Sequence, residues 1–174
     1  IIDGNNSATF STDFSYYMLN HSDGKTPPYI TLNEQSGKLV RVLEDNVALK
    51  TRMNEYVTSP IDFFEMKTSE GVTLNGYMMK PADFDASKKY PVLMYVYGGP
   101  GSQNVIDTWS GSRSLWFNYL AQKGYIIACV DNRGTGFRGA DFKKVTYKQL
   151  GKYETADQIE VAKWLAQKND VDPT

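Results

Sequence analysis

One cysteine, one histidine, no excess of either charge and no long apolar run set the first limits on this chain of 174 residues. The lone Cys129 excludes an internal disulfide and, set in Tyr125-Ile126-Ile127-Ala128-Cys129-Val130, reads as a small core hydrophobe. With 19 basic and 20 acidic residues well mixed, there is no basic stripe, and nucleic acid is not an expected partner. No stretch approaches the roughly 18 apolar residues of a membrane-spanning helix. No His/Cys group has metal-ligand spacing, so neither a metal nor a cofactor is expected. No serine stands in a G-x-S-x-G frame, so the chain holds no recognisable elbow nucleophile. A signal peptide is also missing, although Ile1-Ile2-Asp3-Gly4 opens in mid-pattern, as processing or truncation would leave it. The sequons at Asn5-Asn6-Ser7 and Asn20-His21-Ser22 matter only if a eukaryote secretes the chain.

What is present supports a packed core. Hydrophobic residues make up 41% and aromatics 13%, so disorder is not expected, and the length suits one domain or parts of two. Residues 1–44 read as short antiparallel strands at Ser15–His21, Tyr29–Asn33 and Lys38–Leu43, joined by turn-rich segments. Such spacing fits a propeller blade or a sandwich edge. Residues 45–58 form a linker in which Asp45-Asn46 caps a short helix from Val47 to Tyr56. From residue 59 onward the pattern changes. A hairpin (Ile61–Thr68, Val72–Lys80) precedes a buried strand ending at Tyr97. A helix over Arg113–Lys123, a strand over Gly124–Asp131 and a helix over Gly151–Lys168 follow. In the last helix Ile159, Ala162 and Ala166 share a stripe, with Val161 and Leu165 beside it. Strand, helix and strand in succession imply a parallel pair, and the whole suggests the opening half of an α/β-hydrolase sheet.

The most informative segment is Tyr90-Pro91-Val92-Leu93-Met94-Tyr95-Val96-Tyr97-Gly98-Gly99-Pro100-Gly101. A buried strand that ends in a tyrosine and two glycines can form an oxyanion pocket. Glycine lets backbone approach a substrate, and a phenol or N–H then faces the developing charge. The esterase counterpart is a His-Gly-Gly-Gly loop after the third strand, with tyrosine here in the place of histidine. On spacing alone, Tyr97 is equally a packing residue whose hydroxyl finds a backbone acceptor. Ser102 lacks a nucleophile frame because Pro100 stands two positions before it. His21 lies upstream of the α/β segment, whereas hydrolases of this fold run Ser, Asp or Glu, then His; it reads as a surface residue. Asp62, Glu65 and Glu70 are scattered with nothing to pair them. Gly134-Thr135-Gly136-Phe137-Arg138-Gly139 is a literal G-x-G-x-x-G with Glu154 twenty residues on, the pattern of a dinucleotide site. The segment between is too short and polar for a helix and second strand, so a sharp loop at a strand end is the better reading.

Taken together, these segments resemble the dipeptidyl peptidase IV branch of the prolyl oligopeptidase family of serine peptidases. The similarity runs over nearly the whole chain. Phe10-Ser11-Thr12-Asp13 and Leu39–Asn46 resemble the family's last propeller blade and its exit, and Lys88–Pro100 its oxyanion-tyrosine strand. Val130–Gly136, and Leu150-Gly151 with Glu154, Asp157 and Gln158, are similar too. The resemblance implies a propeller blade followed by a partial α/β-hydrolase domain over 59–174, in an enzyme releasing Xaa-Pro or Xaa-Ala dipeptides from peptide N-termini. It implies that Tyr97 stabilises the oxyanion and that Gly98, Gly99 and Pro100 line the substrate loop, where many relatives read Ala-Gly-Pro-Cys through position 101. It further implies a homodimeric parent, exported to the periplasm or cell surface. The nucleophile, its aspartate and histidine would lie beyond Thr174, after Val171–Thr174 enters the nucleophile strand. The paired glutamates that grip the substrate amine would precede residue 1. The chain then reads as a fragment, inactive alone and prone to associate through unpaired edges. Two other readings stand beside it: a nucleotide-binding oxidoreductase using Gly134–Gly139, and a non-catalytic binding module.

Overall fold

The structure, a computed structural model, describes residues 2–173. Two compact units divide them, one holding the chain up to Thr58 with Ile106–Leu115, the other Ser59–Val105 with Trp116 onward. The first unit is a four-stranded antiparallel meander in sequence order, β1 (Asn5–Phe10), β2 (Tyr16–Ser22), β3 (Tyr29–Glu34) and β4 (Leu39–Glu44). β1 has no apolar alternation of its own and is not legible in the sequence. It forms because every residue from Asn5 to Phe10 pairs in register with Ser22 to Tyr17 of β2. Helix α1 (Val47–Met53) is a turn shorter than the sequence predicts, and Asn46 does not cap it. The Asn46 backbone is left-handed (φ 51°) and its amide donates to the Pro28 carbonyl at 2.6 Å, while the Asp45 carboxylate accepts from the Val47 N–H at 3.0 Å.

His21 is buried, not a surface residue. It closes the inner end of β2, where its Nδ1 lies 3.0 Å from Asn6 Oδ1. Its neighbour Ser22 is hydrogen bonded to Thr108 at 3.0 Å, and Asp107 accepts from the Gly24 N–H at 2.7 Å. The Gly/Ser-rich segment that begins after Tyr97 therefore supplies part of this unit's own packing, which no hydropathy pattern foretells.

The second unit is a four-stranded mixed sheet in the order β5-β6-β8-β7. β5 (Ile61–Lys67) and β6 (Thr73–Met79) form the expected hairpin, β6 pairs antiparallel with β8 (Ile126–Asp131), and β7 (Val92–Met94) runs parallel to β8. Helix α2 (Ser112–Gln122) connects β7 to β8, as a parallel crossover demands. β8 is buried along its whole length because both faces are covered. Ile126, Ala128 and Val130 join the core that holds Val161 and Leu165 of α4 (Lys152–Ala166), while Ile127 packs with Met79 and Phe117 of α2. Burial on two faces is what turns a strand into a continuous apolar run.

Two details differ from the pattern in the sequence. A five-residue helix, α3 (Ala140–Lys144), interrupts the polar stretch after the glycine loop. More consequentially, α4 buries Asp157, Val161 and Leu165, and Ile159 is 49% exposed. The apolar stripe through Ile159, Ala162 and Ala166 is not the core face. The helix is rotated toward a buried ion pair at Asp157, described below, which a hydropathy count treats as a surface residue. After α4 the chain meets the start of β7 again: Val171 forms a parallel bridge with Tyr90, sealed by Tyr90 N–H to Asp170 O at 3.0 Å and Asp172 N–H to Tyr90 O at 2.9 Å.

Gly76 in β6 gives a direct test of this packing. A Cβ placed there would meet the Phe64 ring at 2.5 Å and Val130 Cγ2 at 2.8 Å, and Phe64 is itself stacked on Trp164 at 5.0 Å. Gly76→Ala should destabilise the unit by about 1–3 kcal/mol through overpacking, read as a lower urea midpoint with an unchanged m-value.

Candidate functional site

Because β7 and β8 are parallel, their carboxyl ends open on the same rim of the sheet, where ligand sites of α/β folds gather. β7 delivers Tyr97 to this rim, and the ring is 69% exposed. Its hydroxyl has no hydrogen-bond partner among the described residues, so the tyrosine is not the packing residue that spacing alone allowed. The two glycines after it have separate reasons. Gly98 has φ 70°, a left-handed conformation that any side chain strains, and a Cβ there would lie 2.9 Å from Asn132 Oδ1. At Gly99 a Cβ would sit 2.8 Å from Cε1 of Tyr97, whose ring folds back over this backbone. Pro100 is exposed at the turn. Ser102 completes that turn by donating its N–H (3.2 Å) and hydroxyl (2.6 Å) to the Gly99 carbonyl, which engages its oxygen in structure.

β8 delivers Asp131-Asn132-Arg133 and the glycine loop to the same rim. The two loops are stitched together: Gly101 N–H donates to Gly134 O at 3.1 Å, and Gly136 N–H to Ser102 O at 2.8 Å. Asp131, nearly buried, accepts from the N–H groups of Asn104 and Val105 at 2.9–3.1 Å. Asn132 is fully buried. It donates to the carbonyls of Gly98 (3.1 Å) and Arg133 (2.7 Å), and its Oδ1 accepts from Gln158 Nε2 at 3.0 Å. Gln158 also donates to Val130 O at 2.9 Å.

Beneath the loops, Arg133 and Asp157 form a buried ion pair. Asp157 accepts from the Arg133 backbone N–H (2.8 Å), Nε (3.0 Å) and Nη2 (2.7 Å), a forked geometry that locks the guanidinium plane. Glu70 holds Nη1 from the β5–β6 turn, and the guanidinium lies 4.7 Å from the centre of the Tyr153 ring. The hydrogen bonds to Asp157 raise the guanidinium pKa further, so Arg133 is permanently cationic. The same turn is tied to α4 again where Glu160 accepts from the Ser69 N–H and hydroxyl, both at 2.7 Å. Those two bonds hold the Glu160 carboxyl below its ordinary range. Glu70, read as unpaired in the sequence, thus has a partner 63 residues away.

The glycine loop is not built for phosphate. A dinucleotide site needs free N–H groups at its glycines, but Gly134 N–H donates to Phe142 O (2.9 Å), Thr135 N–H to Asn132 O (3.3 Å) and Gly136 N–H to Ser102 O. Glu154, the candidate ribose acid, instead accepts from the Gly151 N–H at 3.0 Å and caps α4. The oxidoreductase reading loses both of its supports. No group of three or more potential metal ligands occurs among the described residues, and no described helix is long and apolar enough to cross a membrane.

Comparison with known proteins places this architecture. The crystal structure of Porphyromonas gingivalis dipeptidyl peptidase 4 superposes with a TM-score of 0.92 at 45% identity, over 97% of this chain and 24% of that one. The dipeptidyl peptidase 4 of Trichophyton equinum is 39% identical over 164 residues, 91% of this chain and 21% of its own length. Residues 112–174 match the sequence profile of the prolyl oligopeptidase family. The chain belongs to the prolyl oligopeptidase family, in its dipeptidyl peptidase 4 branch. It spans between a fifth and a quarter of the length of these relatives. Its antiparallel meander corresponds to the end of the family's propeller and its mixed sheet to the start of the α/β-hydrolase fold. The family resemblance also marked Glu154, Asp157 and Gln158 without a reason for them; the structure makes them a helix cap, a buried counter-ion and the partner of Asn132. Of the three, Asp157 alone left a signal in the sequence, an acid at the spacing of the buried face, 157–161–165.

Proposed function

We propose that this segment supplies the oxyanion-stabilising side of a serine peptidase that releases Xaa-Pro or Xaa-Ala dipeptides from peptide N-termini. The observation that carries this reading is the exposed Tyr97 at the carboxyl rim of β7 and β8, its hydroxyl without a hydrogen-bond partner among the described residues. When a nucleophile adds to the scissile carbonyl, charge gathers on oxygen, and a phenol fixed in advance stabilises it without reorganisation. Gly98, Gly99 and Pro100 form the adjacent wall against which the peptide lies. The serine, aspartate and histidine come from sequence outside these residues, so the segment alone is inert. A homodimeric, exported parent belongs to the same proposal and rests on the family resemblance alone.

The test compares the 174-residue chain with the longer protein that carries it. Both are treated with a Gly-Pro anilide and with an active-site fluorophosphonate. The longer protein should release the dipeptide and show stoichiometric labelling, and the 174-residue chain neither. Labelling of the short chain would overturn its inertness; a longer protein without dipeptide release would overturn the peptidase reading.

A further inference from the structure

We propose that Asn132 is a positioning residue for the oxyanion tyrosine. This deepens the function proposed above and rests on it. Asn132 is the only side chain given a hydrogen bond to the backbone of Tyr97, Gly98 or Pro100 in the described hydrogen-bond network, through Nδ2 to Gly98 O at 3.1 Å. The bond is directional because the fully buried amide is itself fixed at two further points, Nδ2 to Arg133 O and Oδ1 from Gln158. The Gly98 backbone is left-handed, a conformation open to glycine, and the carbonyl Asn132 holds belongs to the residue immediately after Tyr97. Position 98 is glycine because Asn132 fills the space of its Cβ. The two residues are one complementary pair, and α4 sets it by gripping adjacent residues with adjacent residues: Asp157 holds Arg133, and Gln158 holds Asn132.

A displacement of about 1 Å in a group that meets the transition state can cost on the order of 10²-fold in rate. In the longer protein, Asn132→Ala should therefore lower kcat by roughly 10- to 100-fold, counted per fluorophosphonate-titrated site, with KM little changed. A purely structural role would lower the melting temperature and the number of titratable sites but leave kcat per site intact. Gly98→Ala should also lower kcat, and the cycle closes on the pair: once Asn132 is Ala, adding Gly98→Ala should cost less than it does alone, the backbone strain at φ 70° remaining but the clash relieved. If Asn132→Ala does not fold, Asn132→Asp takes its place, keeping the size and the acceptor for Gln158 while the carboxylate loses the donor to Gly98. Full kcat per site in the substituted enzyme, or strict additivity in the cycle, overturns the proposal. Tyr97→Phe is the control that separates it from the reading beneath it: if that change leaves kcat intact, the oxyanion role itself fails, and if it slows turnover while the Asn132 variants do not, only the positioning role fails.

Discussion

Tyr97→Phe in the longer protein is expected to lower kcat by about 10²–10³, the usual cost of one oxyanion donor, while KM and the melting temperature barely move. The ring is mostly exposed and its hydroxyl holds no partner among the described residues, so the fold loses nothing with the oxygen. The loss falls on kcat because the donor meets charge that exists only after the nucleophile has added. A peptide boronic acid, which forms a tetrahedral adduct, should weaken in parallel with kcat, whereas affinity for the product dipeptide should not. A change of less than about threefold in both kcat and boronate affinity would remove Tyr97 from the reaction, since it falls far below the cost of losing an oxyanion donor.

Asp157→Ala carries the largest expected effect on stability. Arg133 and Asp157 side chains are 8% and 0% exposed, and removing one partner of a buried pair costs about 3–5 kcal/mol because the other charge stays in the interior. Here the lower end applies, since Glu70 remains on Nη1. Glu70 itself is 58% exposed, and Glu70→Ala should cost no more than about 1 kcal/mol. Urea denaturation of both variants decides the point. Equal losses would mean that the guanidinium is held from the turn rather than from α4, and that the rotation of that helix has another cause.

The architecture was largely legible because its core strands carry two-sided burial. Ile126 to Val130 cannot lie on a solvated sheet, and their run announced a central strand. Tyr97 stood out at the end of an apolar strand before two glycines, but spacing left it equally a packing residue; what the structure adds is its 69% exposure. What escaped the sequence was polar. β1 depends wholly on its partner, His21 is buried beside Ser22 and Gly24, which bond to chain more than 80 residues downstream, and α4 turns toward a carboxylate. Asn132 and Gln158 are marked by the family resemblance alone, since an amide carries no charge, no reactivity and no hydropathy signal; the worth of the pair lies in where its four hydrogen bonds end. Sequence periodicity sees which residues avoid water, and it is blind to those that enter the interior already paired.

The bridge between Tyr90 and Val171 has a geometric corollary. A strand continuing from Val171 in that parallel register advances alongside β7 by about 3.3 Å per residue, toward the tyrosine rather than away from it. Seven steps on it draws level with Tyr97, which lies seven residues after Tyr90. A turn after such a strand would be steered to the phenol's doorstep, so that under the proposed function the distance between attacker and anion-holder would be metered by backbone pairing before any catalytic side chain is chosen.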